Sequence, residues 1–264
     1  MAKTNSLSLI SAVLLPEFKE QLPDIDWPEY AKNFPKISFT SDNFSFYASV
    51  SSVYSSKIEG EDIDLNSFLN HKFFNGNYQP DYTRKIDDLF EAYTLAKDQV
   101  LNPANLLKAH GVLTKHILRS SGRGKIRNKQ EFIINSQGQI EYVAADAGIV
   151  ALEMEKFFKD LKRLVKTKLS FAETLYYAAM LHLVLLKIHP FEDGNGRMAR
   201  LLEKWFLATQ LGPEAWNIPS EQYYYQNLSA YYRNVHIGFD YESVDYQRSL
   251  PFLLMLPQAI RHQS

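Results

Sequence analysis

Through most of the chain apolar residues recur three and four positions apart, the spacing that puts them on one face of an α-helix. Beyond a Pro-rich entry at Pro23, Pro28 and Pro35, the stretch 41–60 carries Phe44, Tyr47, Ala48, Val50, Val53 and Tyr54 at that spacing, and Gly60 can stop the helix. A second helix is predicted over 80–100, with Ile86, Leu89, Ala92, Tyr93 and Ala96 on one stripe. A third over 102–118 has Asn102 as N-cap and Pro103 at its first position. At 127–143 the pattern changes. β-Branched and aromatic residues flank the turn "NSQGQ", which predicts a β-hairpin. Helical spacing returns over 146–165. The stretch 170–188 opens with Ser170 and Glu173 in capping-box spacing and is apolar all round, as the buried centre of a domain would be. From 194 to 211, Met198, Leu201, Leu202, Trp205 and Thr209 define another stripe, stopped by Gly212. The tail predicts two more helices, over 219–235 and 243–260. The expected fold is all-α with a small β-hairpin.

Composition narrows the function. The 264 residues are 45% hydrophobic and 22% charged, the balance of a folded globular chain. Lys and Arg total 29 against 30 acidic residues, so no bulk charge draws the chain to nucleic acid or to an acidic membrane, and neither is expected as a partner. With no cysteine there is no disulfide, thiolate metal site or Cys nucleophile, which fits the cytoplasm. The run Leu7 to Leu15 lacks a small-x-small cleavage site and reads as an amphipathic terminal helix closed by Pro16. The apolar segment 175–188 is too short to span a bilayer and contains His182 and Lys187, so it reads as a core helix.

Candidate chemistry concentrates in "KIHPFEDGNGRMARLL", residues 187–202. A helix N-terminus exposes unpaired N–H groups, and glycines let a ligand approach them, so "DGNGR" makes an anion cradle. Arg197 and Arg200 lie three apart on one helical face, where two guanidiniums can reach successive phosphates. Asp193 at the mouth would repel phosphate unless a cation lay between them, and Mg²⁺ takes one or two carboxylates plus phosphate oxygens. His189, neutral at pH 7 when unperturbed, can act as general base. Phe191 reads as a core anchor.

This string resembles the Fic motif His-Pro-Phe-x-(Asp/Glu)-Gly-Asn-(Gly/Lys)-Arg-x-x-Arg at every specified position. The resemblance implies transfer of AMP from ATP to a Ser, Thr or Tyr hydroxyl of a target protein. It makes His189 the base and Asp193 the Mg²⁺ ligand. Asn195 and the backbone of Gly194, Gly196 and Arg197 would hold the α- and β-phosphates, and Arg200 would meet the γ-phosphate. Relatives that transfer phosphate from an inverted nucleotide carry Lys where this chain has Gly196. The hairpin resembles the Fic flap, so Gln130 to Val143 would dock the target's backbone by strand addition, with Ile133, Ile134, Asn135 and Ser136 over the nucleotide. "YYYQNL" resembles a segment beside the adenine, which places Tyr224 against the base; Tyr232 stands where relatives often have Asn.

A second signal is "SSKIEG". Ser55 and Glu59, four apart, share a helical face, and Gly60 can end that helix. Alternatively, Ser56 and Glu59 have capping-box spacing and could start a helix running into 61–70. The string resembles the Fic inhibitory motif (Ser/Thr)-x-x-x-Glu-(Gly/Asn), which implies that Glu59 pairs with Arg200 while Ser55 steadies the contact. Residues 1–100 would then be a helical region carrying the inhibitory motif and 101–264 the catalytic core, within one compact domain. Two other functions fit the same residues: removal of AMP, with the glutamate activating water, and a nucleotide-responsive binding module. Self-association is left open.

Overall fold

The structure, a computed structural model, describes residues 7–35, 37–38, 42–74, 76, 80–134 and 137–261. It is mainly helical, with one two-stranded antiparallel hairpin among the described residues. The helices are α1 (Leu15–Gln21), α2 (Trp27–Lys32), α3 (Asn43–Ile58), α4 (Leu65–Phe74), α5 (Pro80–Asp98) and α6 (Pro103–Leu113). After strands β1 (Phe132–Ile134) and β2 (Ile140–Val143) come α7 (Val150–Lys166), α8 (Phe171–Ile188), α9 (Asn195–Leu211), α10 (Ser220–Gln226), α11 (Leu228–Val235), α12 (Leu250–Leu253) and α13 (Met255–Arg261).

Helix α8 is the centre. The Ser170–Glu173 capping box forms as its spacing predicts, and fourteen of its eighteen residues are buried. By length and apolarity alone the helix could cross a bilayer, but here it packs most extensively against α9 and is a core helix. Helix α9 starts at Gly194, whose φ of 80° only glycine adopts at low cost, and ends at Gly212. Of its predicted stripe, Met198, Leu201, Leu202 and Trp205 are buried, while Thr209 is exposed because it lies beyond the part of the helix that the core covers. The stripe of α5 is buried as predicted, and one apolar cluster runs from Ile10 to Ile260.

Four expectations need correction. Pro16 opens α1 instead of closing a helix over 7–15, because its missing N–H is harmless in a first turn. The helix predicted over 102–118 stops at Leu113 and passes into turns. Each predicted tail helix is interrupted, one at Asn227 and the other after a 3₁₀ turn at Tyr246–Arg248 and again between Leu253 and Met255. The capping-box alternative at Ser56 also fails. Ser56 is buried inside α3, Glu59 is the C-cap of that helix, and α4 starts later, at Leu65.

The hairpin pairs Phe132 with Val143, Ile133 with Tyr142 and Ile134 with Ile140, with an irregularity between Ile133 and Ile134. Tyr142 fastens it to the end of α8 by donating to the Lys187 carbonyl at 2.7 Å.

Candidate active site

The loop between α8 and α9 gathers the predicted residues. His189 is the C-cap of α8 and, at φ 52°, the only described non-glycine residue in the left-handed region. That conformation ends the helix and turns the chain out, and Pro190 prevents its continuation. The imidazole is half-buried, and its pKa is pulled down to about 4. Burial is the main cause, with the Arg127 and Lys187 charges adding to it and Glu59 and the Leu186 carbonyl opposing it. Its neutral form therefore dominates at pH 7, as a general base requires.

Asn195 closes the loop with both ends of its amide, accepting from the Phe191 N–H at 3.0 Å and donating to the Phe191 carbonyl at 2.8 Å. The amide is thus committed to shaping the turn, which leaves the backbone N–H of Asn195 to face the cradle. The N–H groups of Asn195, Gly196 and Arg197 stand at the start of α9, where intrahelical bonding begins only with Met198. Asp193 is exposed at the mouth, and its carboxylate accepts the Gly194 N–H. His110, stacked on Phe191 with ring centres 3.7 Å apart, fixes this loop from below. The Gly124 N–H donates to its Nδ1 at 3.0 Å, so Nε2 carries the proton and donates to the Asp193 carbonyl at 2.9 Å.

The two arginines share a face of α9 as expected, and both are occupied. Arg200, 1% exposed, donates through Nη2 to Glu59 Oε1 at 2.5 Å and to the Ser55 carbonyl at 3.0 Å. Its Nε donates to Ser55 Oγ at 2.8 Å and its Nη1 to the Tyr231 hydroxyl at 3.3 Å. Burial pushes the Glu59 carboxyl up, but the Arg200 and Arg197 charges outweigh it and hold the group below its usual range. The Glu59 carboxylate also lies against the cradle itself: a Cβ at Gly196 would collide with Glu59 Oε1. Arg197 donates from Nη2 to Glu61 Oε1 at 3.0 Å, and Lys85 meets the same oxygen at 3.0 Å. Arg197 Nε and Glu61 Oε2 are buried without hydrogen-bond partners among the described residues.

The hairpin and tail are less as foreseen. Ile133 and Ile134 cannot both face a nucleotide, because neighbouring strand residues point to opposite faces. Ile134 is the outward one, at 59% exposure. Asn135 and Ser136 lie outside the described residues. Tyr224 is 0% exposed, donating to both Glu203 oxygens at 3.0 and 2.9 Å, so no face of it is open to a base; a buried hydroxyl needs a partner, and Glu203 supplies it. Tyr232 is 49% exposed but donates to the Ile58 carbonyl at 2.6 Å, bonding to the last turn of α3.

Five residues escaped the sequence reading: Tyr231, Glu61, Lys204, Arg127 and His110. Only Glu61 left a usable signal. It follows Glu59 in "EGED", and two motif arginines call for two acids when no phosphate is bound.

Residues 100–207 match the Fic/DOC family. The fold is similar to that of a Fic family protein from Desulfovibrio desulfuricans, at 20% identity over 97% of this chain and 75% of that one, with a TM-score of 0.73. A Fic domain containing signaling protein from Bacteroides thetaiotaomicron is 17% identical over 94% and 91%, with a TM-score of 0.62. Fic-1 from C. elegans is 15% identical over 95% and 69%, also at 0.62. No curated protein matched the chain.

Proposed function

We propose that the chain is a self-inhibited protein adenylyltransferase that moves AMP from ATP to a Ser, Thr or Tyr hydroxyl of a target protein docked along Gln130–Val143. The observation that carries this reading is the Glu59 carboxylate, held by Arg200 against Gly196 at the N-terminus of α9. An acid fixed in an anion cradle stands in for phosphate, and the same cradle with a neutral histidine beside it suits attack on a phosphoryl group.

In the reaction the target hydroxyl attacks the α-phosphorus, His189 takes its proton, the α–β phosphoanhydride bond breaks, and diphosphate leaves. The α9 N-terminus holds phosphate oxygens through backbone N–H groups, and Arg200, once freed, meets the γ-phosphate. Asp193 fits a Mg²⁺ ligand. It is exposed, and it shares the mouth with Glu192 and Glu131, whose carboxyl is raised by burial, with the Arg127 charge opposing and these like charges adding to the rise. When bound, Mg²⁺ would neutralise charge on the phosphates.

Incubation with α-labelled ATP tests the reading. Wild type should label weakly and Glu59→Gly about 5- to 150-fold more, the span of ordinary coupling energies. Adding His189→Ala to Glu59→Gly should abolish labelling. Absence of label from the Glu59→Gly chain in the presence of Mg²⁺ and lysate would sink the proposal. Release of AMP from pre-modified target would favour the removal reaction instead.

A further inference from the structure

We infer that Arg127 is a positioning residue, one side chain that joins both feet of the hairpin to the histidine loop and so fixes where His189 stands relative to the docked hydroxyl. This rests on the proposed role of His189 and goes beyond it by naming what aims that side chain.

Arg127 is buried, yet among the described residues its guanidinium forms no ion pair. Its bonds go to backbone carbonyls instead. Nε donates to His189 O at 2.7 Å and Nη1 to Lys129 O at 2.6 Å. Nη2 donates to Ala145 O at 2.6 Å and reaches Ile188 O at 3.4 Å. Its own backbone N–H donates to Pro190 O at 2.9 Å. Glu131 and Asp146 oppose the cost of burying this cation only through space, and burial outweighs them, so stability alone is a poor reason for this choice. What arginine supplies is a planar fork of donors with fixed angles.

The acceptors form two groups. Lys129 and Ala145 stand just outside the two strands, one on each side of the hairpin. Ile188, His189 and Pro190 form the turn where His189 adopts its left-handed conformation. A carbonyl held in place fixes ψ of its own residue, so the bond to His189 O holds the strained residue in the one conformation that sends its ring into the site. Loss of the fork would leave the hairpin held by Tyr142 and by the Val143 backbone bonds to Phe239 and Tyr241, and would leave the histidine turn joined to it only through Tyr142 and the Arg127 N–H bond to Pro190.

The test uses the Glu59→Gly chain as parent. Arg127→Lys keeps a cation but replaces the fork by a single nitrogen. Self-labelling kcat should fall about 100-fold, the cost of a misplacement near 1 Å. ATP affinity by calorimetry should change little. Amide hydrogen exchange should quicken at 129–146 and 186–190 and stay unchanged in α3 and α5. A merely structural role predicts a lower melting temperature with kcat intact well below it, and that outcome overturns the inference, as does a loss of ATP affinity in proportion to rate. If the lysine chain does not fold, Arg127→Gln, with two coplanar donors and no charge, takes its place under the same readouts. If the Glu59→Gly parent itself labels nothing, the adenylyltransferase reading fails, and the exchange pattern still decides whether Arg127 couples the hairpin to the histidine turn.

Discussion

Helix α3 meets α9 through two polar clasps about one turn apart, and they are built to opposite specifications. In the inner one, Lys204 donates to Ser51 Oγ at 2.6 Å and to Glu221 at 2.5 Å, Ser51 donates to Glu221 at 3.1 Å, and Tyr93 donates to it at 2.5 Å. None of these four residues is more than 1% exposed. In the outer one Arg200 is equally buried, but its acid, Glu59, keeps 32% of its side chain exposed and lies over the cradle of Gly196. The inner clasp offers a competing anion no way in. The outer one is open to it on the side where phosphate would arrive. On the proposed function, release of the site would need only the last turn of α3 to give way, while the rest of the helix stays fastened.

The largest effect should come from breaking the inner clasp. Glu221→Ala leaves Lys204 buried and unpaired, which costs about 3–5 kcal/mol. The expected result is a sharply lower melting temperature and no gain in labelling. Were labelling to rise as far as in Glu59→Gly, the two clasps would be one device and the contrast between them would be void.

Proton concentration should act on the two clasps alike. Burial raises the carboxyls of both Glu221 and Glu59, but Lys204 and Arg200 respectively hold them below the usual range. A depressed carboxyl contributes stability that is complete above its unfolded pKa, near 4.5, and lost as pH falls through the lower folded value. Acid should therefore not open the outer clasp anywhere near neutrality. The base behaves in the same sense. With His189 at about 4, labelling by Glu59→Gly should hold steady from pH 7 down past 6.5 and fall only towards 4. Removing Glu59 takes away a charge that favours the imidazolium, so the limb moves lower still. An acid limb at 6.5 in the profile of kcat/KM would mean that the histidine is solvated during turnover.

Much of this was legible in the sequence, and the reasons differ by element. The long periodic helices α5, α8 and α9 declared themselves because each buries one face on a single core, and periodicity reports burial. The motif residues were legible because their chemistry is local: His189, Asp193 and the glycines lie within eight residues. What stayed hidden depends on partners distant in the chain. Nothing near Ser51 in sequence says that it meets Lys204, 153 positions away, and Arg127 signals nothing when its acceptors are all backbone. Tyr224 misled because an aromatic pair beside a polar run fits a base-stacking face and a buried hydroxyl network equally well. Its partner Glu203 decides between them, and helical spacing alone does not show which face of α9 Glu203 occupies.

The smallest effect is the most discriminating for the outer clasp. Tyr232 donates to the carbonyl of Ile58, one of the last four of α3, which have no partner within the helix. If this bond steadies the turn that presents Glu59, Tyr232→Phe keeps the ring and removes about 1 kcal/mol of support, so labelling should rise about fivefold. Ser55→Ala, which takes one neutral acceptor from Arg200 and leaves Glu59 in place, should give a gain of the same order. Both variants should melt close to wild type, since the inner clasp is untouched. A tyrosine that serves the adenine predicts something else for Tyr232→Phe: unchanged labelling at saturating ATP, with any difference confined to the KM for ATP. Measuring labelling against ATP concentration for these two variants and for Glu59→Gly tells the readings apart, because only a bond that holds the inhibitory turn raises the plateau.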